Sequence, residues 1–361
     1  MFSERVQKMI ADGISYPLAK KSETEDKEYV KMCSNENPYG PSPRAMEAVK
    51  EAASDIEKYP KSGSLKLKKA ISDYAGVEYS QVCVGNGSDE IMDLLEKATM
   101  DPGDEALIPI PTFSQYELSC RANAMSTKFV ELGNFEWDAD KLVEEIESSK
   151  IAFLGRPNNP TGNSINRDGL KDLLETGKII VVDEAYAEFS EESVIDLVDE
   201  YENLVVLRTF SKMFGLAGLR IGYGLANEKL VEGVERVRPP FSVNKLAQSA
   251  AVEALKDEEF VEKTKTKISS GRSYLEEELK DLGFEVLPSK ANFIMTSPAP
   301  IGFDSSKVCE YLSREKGILI RDLSGFRGIS SDWVRITVGK PKQNKRLIKG
   351  LKELKEVEND D

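Results

Sequence analysis

The chain has 361 residues, 40% of them hydrophobic, and it contains no histidine. Without imidazole, Ser-His-Asp and Cys-His catalysis and histidine-ligated zinc are excluded, so proton transfer must fall to Lys, Tyr, Asp, Glu or Cys. The 49 basic and 63 acidic residues leave a formal net charge of −14. This charge argues against a nucleic-acid or anionic-membrane surface, because binding to phosphate backbones needs clustered positive charge.

The cysteines are widely separated and form no CxxC motif; they are Cys33, Cys83, Cys120 and Cys309. This spacing indicates neither a disulfide framework nor a zinc site, and we expect no bound metal. The N-terminal segment MFSERVQKMIADG lacks the apolar centre of a signal peptide, and nowhere do 18 apolar residues run together. We therefore expect a reduced, cytoplasmic protein without a membrane segment.

The elements of the chain follow one another in a regular order. Residues 1–35 are charged and begin with a helix-like pattern, so they form a lead-in. From about residue 36 to 225, short apolar runs alternate with helical patterns; the runs are QVCVG, EALIPI, KFVEL, IAFLG, KIIVVD and NLVVLR. This alternation predicts an α/β fold around a mostly parallel sheet. Residues 245–281 are predicted to form long helices, and the remainder a small α+β unit that ends in an amphipathic tail.

Three of the apolar runs lead directly into unusual polar segments. RPNNPTG follows IAFLG, DEAY follows KIIVV, and TFSK follows NLVVLR. Because the ligands of an open parallel sheet bind at the carboxyl ends of its strands, we expect Asn159, Asp183, Tyr186 and Lys212 to converge there. Taken singly, each of these residues also has a structural interpretation, as part of a turn, a loop or a solvated surface.

The run QVCVG ends in GNGSDE, just before a helical pattern. Gly85 and Gly87 allow close approach of the backbone, and Ser88 and Asp89 lie where a helix N-terminus offers N–H groups to an anion. Glu90 occupies the third glycine position of a dinucleotide fingerprint, which disfavours NAD but not a simple phosphate.

A glycine-rich segment, FGLAGLRIGYG, follows Lys212 and contains Arg220. A guanidinium in such a segment suits a phosphate clamp, although a salt-bridged surface arginine is the alternative. A lysine, an acid, a tyrosine and a phosphate cradle at one sheet edge match the needs of pyridoxal 5'-phosphate. This cofactor presents an aldehyde to a lysine, a ring nitrogen to an aspartate, a phenolic oxygen and a phosphate.

An ordered set of motifs resembles the histidinol-phosphate aminotransferase family of fold-type I pyridoxal-phosphate enzymes. The motifs are NENPYGPSP, YP, GNGSDE, PTFSQY, PNNPTG, DEAY, TFSKMFGLAGLRIGY, SVNKLAQ, KANF and WVRITVG, between about residues 14 and 350. The resemblance implies a large domain over 36–250 with a seven-stranded, mostly parallel sheet flanked by helices. It also implies a smaller α+β domain built from 1–35 and 251–361, and a homodimer with shared active sites.

The resemblance further implies how the cofactor is held. Lys212 would be the Schiff-base lysine, Asp183 would pair with the ring nitrogen, and both would act in catalysis together with Tyr186. Asn159 and Tyr186 would bond the phenolic oxygen. The residues implied around the phosphate are Ser88, Asp89, Thr209, Ser211, Arg220 and Tyr59 of the partner subunit. Phe113 stands where the family usually has a tyrosine stacked on the ring, which keeps an aromatic face but removes a hydroxyl.

On the substrate side, the resemblance implies that Arg335 holds the phosphate of histidinol phosphate in one half-reaction and the carboxylate of glutamate in the other. Arg321 and Tyr16 would assist it. The remaining residues expected to line the substrate pocket are Asn37, Asn159 and Asn244. Arg156, just before PNNPTG, receives no role.

The implied activity is reversible amino transfer between L-histidinol phosphate and 2-oxoglutarate. An aromatic aminotransferase and a threonine-phosphate decarboxylase share the same scaffold and remain alternatives. A non-catalytic protein that binds pyridoxal phosphate is a further alternative of another class, whereas an NAD-dependent oxidoreductase is disfavoured by Glu90.

Overall fold

The described residues, 1–15, 29–190 and 192–359 of a computed structural model, form thirteen strands. In chain order these are β1 (Val30–Lys31), β2 (Val82–Gly85), β3 (Glu105–Ile110), β4 (Ser126–Glu131), β5 (Ile151–Gly155), β6 (Ile179–Asp183), β7 (Leu204–Thr209), β8 (Gly222–Ala226), β9 (Glu285–Val286), β10 (Phe293–Ser297), β11 (Ile318–Leu319), β12 (Arg321–Asp322) and β13 (Val334–Thr337).

The same part of the chain forms twelve α-helices. These are α1 (Glu4–Ala11), α2 (Pro43–Ala52), α3 (Leu65–Ala75), α4 (Ser88–Thr99), α5 (Gln115–Ala122), α6 (Ala139–Glu145), α7 (Arg167–Glu175), α8 (Glu228–Val237), α9 (Lys245–Leu255), α10 (Glu258–Asp281), α11 (Ser305–Lys316) and α12 (Pro341–Asn359). None of the described helices is long and apolar enough to cross a membrane.

The predicted seven-stranded sheet is confirmed, in the order β2-β8-β7-β6-β5-β3-β4. Each of the six apolar runs supplies one strand. β8 runs antiparallel to both β2 and β7, whereas the other neighbouring strands of this sheet are parallel. The central strands β5, β6 and β7 are buried along nearly their whole length. Continuous burial is expected of parallel strands covered on both faces, and it explains why these runs read as uninterrupted apolar segments.

The two faces of the sheet have separate apolar cores, because successive side chains of a strand point to opposite sides. Val181 packs in the core that contains residues of α4, α5 and α8. Its neighbour Val182 packs in the core that contains residues of α7 and α9 and extends to the C-terminal elements. The helical layers on both sides leave the carboxyl ends of the strands as the open edge.

The C-terminal part forms a second, four-stranded antiparallel sheet in the order β12-β13-β10-β9. The short strand β1 pairs with β11 in parallel and so joins the N-terminal arm to these elements. This pairing supports the predicted division into 36–250 and 1–35 plus 251–361, which stays a prediction. The apolar face predicted for the tail is buried in α12, through Leu347, Ile348, Leu351 and Leu354.

Candidate active site

A cavity of about 510 Å³ lies where β5, β6 and β7 end. Parallel neighbours in one sheet end at one edge, and this topology brings distant segments of the chain to the same place. Twelve of the residues predicted for the site line the cavity: Ser88, Asp89, Phe113, Asn159, Asp183, Tyr186, Thr209, Ser211, Lys212, Arg220, Arg321 and Arg335. The predicted convergence of the three polar segments is therefore observed.

Lys212 follows the end of β7 and extends its amine into the cavity. Its Nζ donates a hydrogen bond of 3.3 Å to the carbonyl of Ser34 and lies 5.7 Å from the ring centroid of Tyr186. Burial and the positive charge of Arg335 lower the pKa of Lys212 to about 8. Near neutral pH, a larger fraction of this amine is unprotonated than in an ordinary lysine, so it is suited to nucleophilic attack and to proton transfer.

Asp183 is the last residue of β6 and is only 7% exposed. Its Oδ2 accepts a hydrogen bond of 2.9 Å from the Tyr116 hydroxyl, and its Oδ1 accepts the backbone N–H of Ala185 at 3.1 Å. Burial raises the pKa of Asp183 to about 6, while these two hydrogen bonds lower it. The carboxylate is thus largely ionised at neutral pH and can stabilise a protonated ring nitrogen. Tyr116 was missed by the sequence prediction, although it belongs to the motif PTFSQY.

Tyr186 is hydrogen-bonded to Asn35 of the N-terminal arm, a second residue that the sequence prediction missed. The side-chain amide of Asn35 donates a hydrogen bond of 3.0 Å to the Tyr186 hydroxyl, and its Oδ1 accepts one of 3.0 Å from Thr337 of β13. Burial raises the pKa of Tyr186 to about 12, so the hydroxyl keeps its proton and can donate to an acceptor in the cavity. The only available signal for Asn35 was its place in NENPYG.

The start of α4 forms a cradle for an anion. Its first residue is Ser88, preceded by Gly87 at φ +81°. A Cβ on Gly87 would lie 2.9 Å from Nη2 of Arg220, so glycine lets the guanidinium pass close to the helix N-terminus. The same Nη2 lies 3.0 Å from Oδ2 of Asp89. Ser211 contributes a buried hydroxyl without a hydrogen-bond partner in the described structure, and unpaired donors of this kind suit a phosphate.

The backbone of Arg220 adopts φ +50°, in the left-handed region. For a residue with a side chain this conformation costs about 1–3 kcal/mol and is retained where the surrounding structure enforces it. Gly222, two residues later, allows the turn to pack against α4, since a Cβ there would lie 2.5 Å from the backbone nitrogen of Ser88. The glycine-rich segment therefore allows the Arg220 guanidinium to lie close to the N-terminus of α4.

Two buried arginines form the opposite wall. Arg321 of β12 and Arg335 of β13 are direct cross-strand partners. Nη1 of Arg335 donates a hydrogen bond of 2.5 Å to Oδ1 of Asn159, and Nη2 donates one of 2.8 Å to the carbonyl of Cys33. These bonds orient the guanidinium toward the cavity and connect the small sheet with the loop after β5. The pair offers a second anion-binding site in the same cavity.

Two residues predicted for the substrate pocket do not line this cavity. The side chains of Asn37 and Asn244 are hydrogen-bonded to backbone groups, and their part in substrate binding stays a prediction. Asn37 donates a hydrogen bond of 2.7 Å to the carbonyl of Met213, next to the lysine. Asn244 caps α9 by accepting the N–H of Ala247 at 2.8 Å. Glu36 lines the cavity in place of Asn37.

Three further residues lie elsewhere. Tyr16 falls outside the described residues. Tyr59 is 80% exposed and stacks on Phe241 with 5.0 Å between the ring centroids, away from the cavity of its own chain. Arg156 is buried and donates to the carbonyl of Ile165, so it supports the loop after β5 and does not line the cavity.

Comparison with known proteins identifies the class of this molecule. The family model for aminotransferase class I and II matches residues 27–351. A histidinol-phosphate aminotransferase of Methanothermobacter thermautotrophicus is 38% identical over 334 residues, 91% of this chain and 89% of that protein. One of Methanosarcina mazei is 40% identical over 326 residues, 89% of this chain and 87% of that protein.

Solved structures show the same fold. The histidinol-phosphate aminotransferase from Clostridium acetobutylicum matches with a TM-score of 0.85 at 27% identity, over 91% of this chain and 99% of that one. The enzyme from Sinorhizobium meliloti, solved in complex with pyridoxal-5'-phosphate, matches with 0.87 at 23% identity, over 99% and 98%. L-threonine-O-3-phosphate decarboxylase from Porphyromonas gingivalis matches with 0.80 at 28% identity, over 91% and 99%.

The chain belongs to the class I and II aminotransferases, a family of pyridoxal-phosphate-dependent enzymes of fold type I. Within this class, its relatives identify the histidinol-phosphate aminotransferase family. The cavity fits the cofactor of the class: an amine of lowered pKa, an ionised carboxylate and a cradle with an unsatisfied Ser211 hydroxyl lie around one space.

Proposed function

We propose that the chain catalyses reversible transfer of the amino group of L-glutamate to imidazole-acetol phosphate, giving L-histidinol phosphate and 2-oxoglutarate, in histidine biosynthesis. The observation that carries this proposal is the presence of two anion-binding sites in one cavity. The cradle at α4 suits the cofactor phosphate, and the pair Arg321 and Arg335 suits a substrate anion. Histidinol phosphate has no carboxylate, so its own phosphate would take the place that the carboxylate of glutamate takes in the other half-reaction.

The positions of the residues support the predicted roles. Pyridoxal 5'-phosphate, when bound, supplies an aldehyde for the amino group and a ring that accepts electrons from the substrate Cα. Lys212 Nζ would take the proton from this carbon and return it. Asp183 would keep the ring nitrogen protonated, and Tyr186 and Asn159 would donate to the phenolic oxygen. Phe113 would cover one face of the ring and help to exclude water from the reacting atoms.

The cradle binds the phosphate through the remaining predicted residues: Ser88, Asp89, Thr209, Ser211 and Arg220. Asp89 acts by orienting Arg220, since its carboxylate lies 3.0 Å from the guanidinium. Arg335 binds the substrate anion as a planar fork, with Arg321 beside it. A fork of this kind accepts both a phosphate and a carboxylate, as the two half-reactions require.

Substrate preference tests this proposal. We expect kcat/KM for histidinol phosphate with 2-oxoglutarate to exceed that for phenylalanine or tyrosine by about 10- to 100-fold, because only the former presents a phosphate to the arginine pair. Steady-state turnover is measured on all three donors and on threonine phosphate, with carbon dioxide release followed in parallel. Threonine phosphate is included because of the similarity to L-threonine-O-3-phosphate decarboxylase. Preference for any donor other than histidinol phosphate, or carbon dioxide release from threonine phosphate, would contradict the proposed substrate.

We further propose a cytoplasmic homodimer in which Tyr59 of the partner subunit completes the phosphate site. Cys33, Cys83 and Cys120 are buried thiols outside any disulfide, as expected in a reducing compartment. In its own chain, the Tyr59 ring is exposed, does not line the cavity and stacks on Phe241, so an aromatic patch is available for a second copy.

Mixing inactive subunits tests this shared site. A dimer of one Lys212→Ala and one Tyr59→Ala subunit has one active site with both native residues, so random exchange is expected to restore up to about a quarter of the wild-type activity. Activity is measured after mixing under conditions of proven subunit exchange. Mixing Lys212→Ala with Lys212→Arg is the control and should restore nothing. Failure of the first mixture to recover would contradict the role of Tyr59.

A further inference from the structure

Tyr116 contacts Asp183, and the proposed function gives this tyrosine no task. Its hydroxyl donates a hydrogen bond of 2.9 Å to Oδ2 of the carboxylate. The other oxygen, Oδ1, accepts the N–H of Ala185 at 3.1 Å. Among the described residues, each oxygen of the carboxylate therefore has one donor, and the donor from Tyr116 is the one that belongs to a side chain.

The phenol is fixed in this position by its neighbours. Tyr116 is 1% exposed and lies in the first turn of α5. Its ring stacks on Phe153 of β5, with 5.5 Å between the centroids and an angle of 19° between the planes. Phe113 meets it edge-on at 5.7 Å and 88°. Since Phe153 lies beside Val181 of β6, the hydroxyl is placed against the carboxyl end of that strand by core packing.

We propose that Tyr116 is a positioning residue, which keeps Asp183 ionised and directed at the ring nitrogen of the cofactor. The inference rests on the proposed function, because it takes Asp183 as the partner of that nitrogen. Burial removes water from a carboxylate and favours its protonated form, whereas a donated hydrogen bond favours the anion. An ionised Asp183 in turn favours a protonated ring nitrogen, the form in which the ring withdraws electrons most strongly.

The electrostatics of the surrounding groups agree with this geometry. Burial raises the pKa of Asp183 to about 6, and the hydrogen bond from Tyr116 opposes this rise. The other charged groups that act on it are Asp89 of α4, which raises the pKa, and Lys212 after β7, which lowers it. Burial and the charge of Asp183 hold the pKa of Tyr116 well above its usual range. The phenol is therefore a donor throughout the range in which Asp183 ionises.

The substitution Tyr116→Phe removes the hydroxyl and keeps the stacked ring. We expect the dissociation constant of pyridoxal 5'-phosphate from the apoprotein to rise about 10- to 100-fold, the range for losing a hydrogen bond to a charged group. Binding requires the carboxylate, so affinity falls as the pH drops through the pKa of Asp183. Because the lost hydrogen bond had lowered this pKa, the acid limb of the binding curve should move to higher pH. Both are measured by fluorescence titration of the apoprotein.

Two comparisons separate this role from packing. A cofactor analogue in which carbon replaces the ring nitrogen should bind the wild type and Tyr116→Phe equally well. Tyr223→Phe is the matched control: this tyrosine of β8 is fully buried, and its hydroxyl has no hydrogen-bond partner in the described structure. It should leave cofactor affinity unchanged. If the single variant Tyr116→Phe is unstable, the double variant Tyr116→Phe/Asp183→Asn is compared with the single variant Asp183→Asn. We expect both to have the same cofactor affinity.

Equal cofactor affinity and an unmoved acid limb in Tyr116→Phe would overturn the inference and leave the proposed function intact. A loss of the same size with the nitrogen-free analogue would also overturn it, because it would indicate a packing role. Failure of the wild type to bind the cofactor would overturn the assignment of the site itself. A different preferred amino donor would change the substrate and leave the role of Tyr116 standing.

Discussion

Lys212→Ala is expected to abolish covalent attachment of pyridoxal 5'-phosphate and to lower amino transfer by at least about 10³-fold, because one amine both binds the aldehyde and moves the proton. The readouts are the absorbance of the lysine-bound cofactor, borohydride labelling of the lysine, and turnover. Lys128→Ala is the control, since the Lys128 amine donates a hydrogen bond to the carbonyl of Glu145 and does not line the cavity. A Lys212→Ala protein that still formed the borohydride-stable bond would refute the assignment.

The pH dependence of attachment is a second readout of the same lysine. The unprotonated amine is the nucleophile, so the rate of attachment to the apoprotein should fall as the pH drops below the pKa of Lys212 and level off above it. Burial and the charge of Arg335 lower this pKa to about 8. An ordinary lysine, with a pKa of about 10.4, would show a rate that still rises well above pH 9. Such a rise in the native protein would contradict the described environment.

Beneath the site, a buried ion cluster anchors the segment that carries both Asp183 and Tyr186. Arg208 of β7 donates to Oε2 of Glu184 at 2.9 Å and to Oε1 of Glu188 at 2.7 Å. The side chains of all three residues are at most 6% exposed. Because Glu184 directly follows Asp183 and Glu188 lies two residues after Tyr186, the arginine fixes the loop after β6.

Arg208→Met is expected to destabilise the apoprotein by about 3–5 kcal/mol, the loss typical of removing one partner from a buried ion pair. Two carboxylates would remain buried without a counter-charge, whereas methionine fills much of the volume. The measurement is the denaturant midpoint at unchanged slope.

Arg236→Met is the matched control for this prediction. Arg236 pairs with Glu232 on the surface, with side chains 78% and 66% exposed, and such a pair contributes about 0–1 kcal/mol. A loss of less than 1 kcal/mol in Arg208→Met would show that the cluster does not stabilise the fold. Adding Glu184→Gln and Glu188→Gln should restore part of the stability, because no unpaired charge then remains.

The convergence at the candidate site was predictable because its main residues end or directly follow parallel strands of one sheet. Asn159, Asp183 and Lys212 follow apolar runs that are buried in the structure, and strand order does not change the edge at which parallel strands end. The phosphate cradle was predictable for a similar reason, since the glycines and Ser88 are adjacent to a helix start in the sequence. These are local signals, and they persist in any arrangement of the sheet.

The contacts that tune the site were not predictable. The hydrogen bond from Tyr116 to Asp183 spans 67 residues, that from Asn35 to Tyr186 spans 151, and that from Arg335 to Asn159 spans 176. No motif spacing relates such pairs. They depend on which helix covers which strand and on how the C-terminal sheet packs against the loop after β5.

The absence of histidine is an example of what the sequence alone determines. Composition alone excluded imidazole chemistry, and the ordered motifs were sufficient to indicate the family and its cofactor. Only the tertiary structure decided that the Asn37 side chain donates to the carbonyl of Met213, that Asn35 donates to Tyr186, and that a phenol from α5 donates to Asp183. Local sequence determines strand ends and helix starts, because these follow from propensity and periodicity. The hydrogen bonds of a buried carboxylate are decided by packing, because its donors come from whichever segments the fold brings within 3 Å.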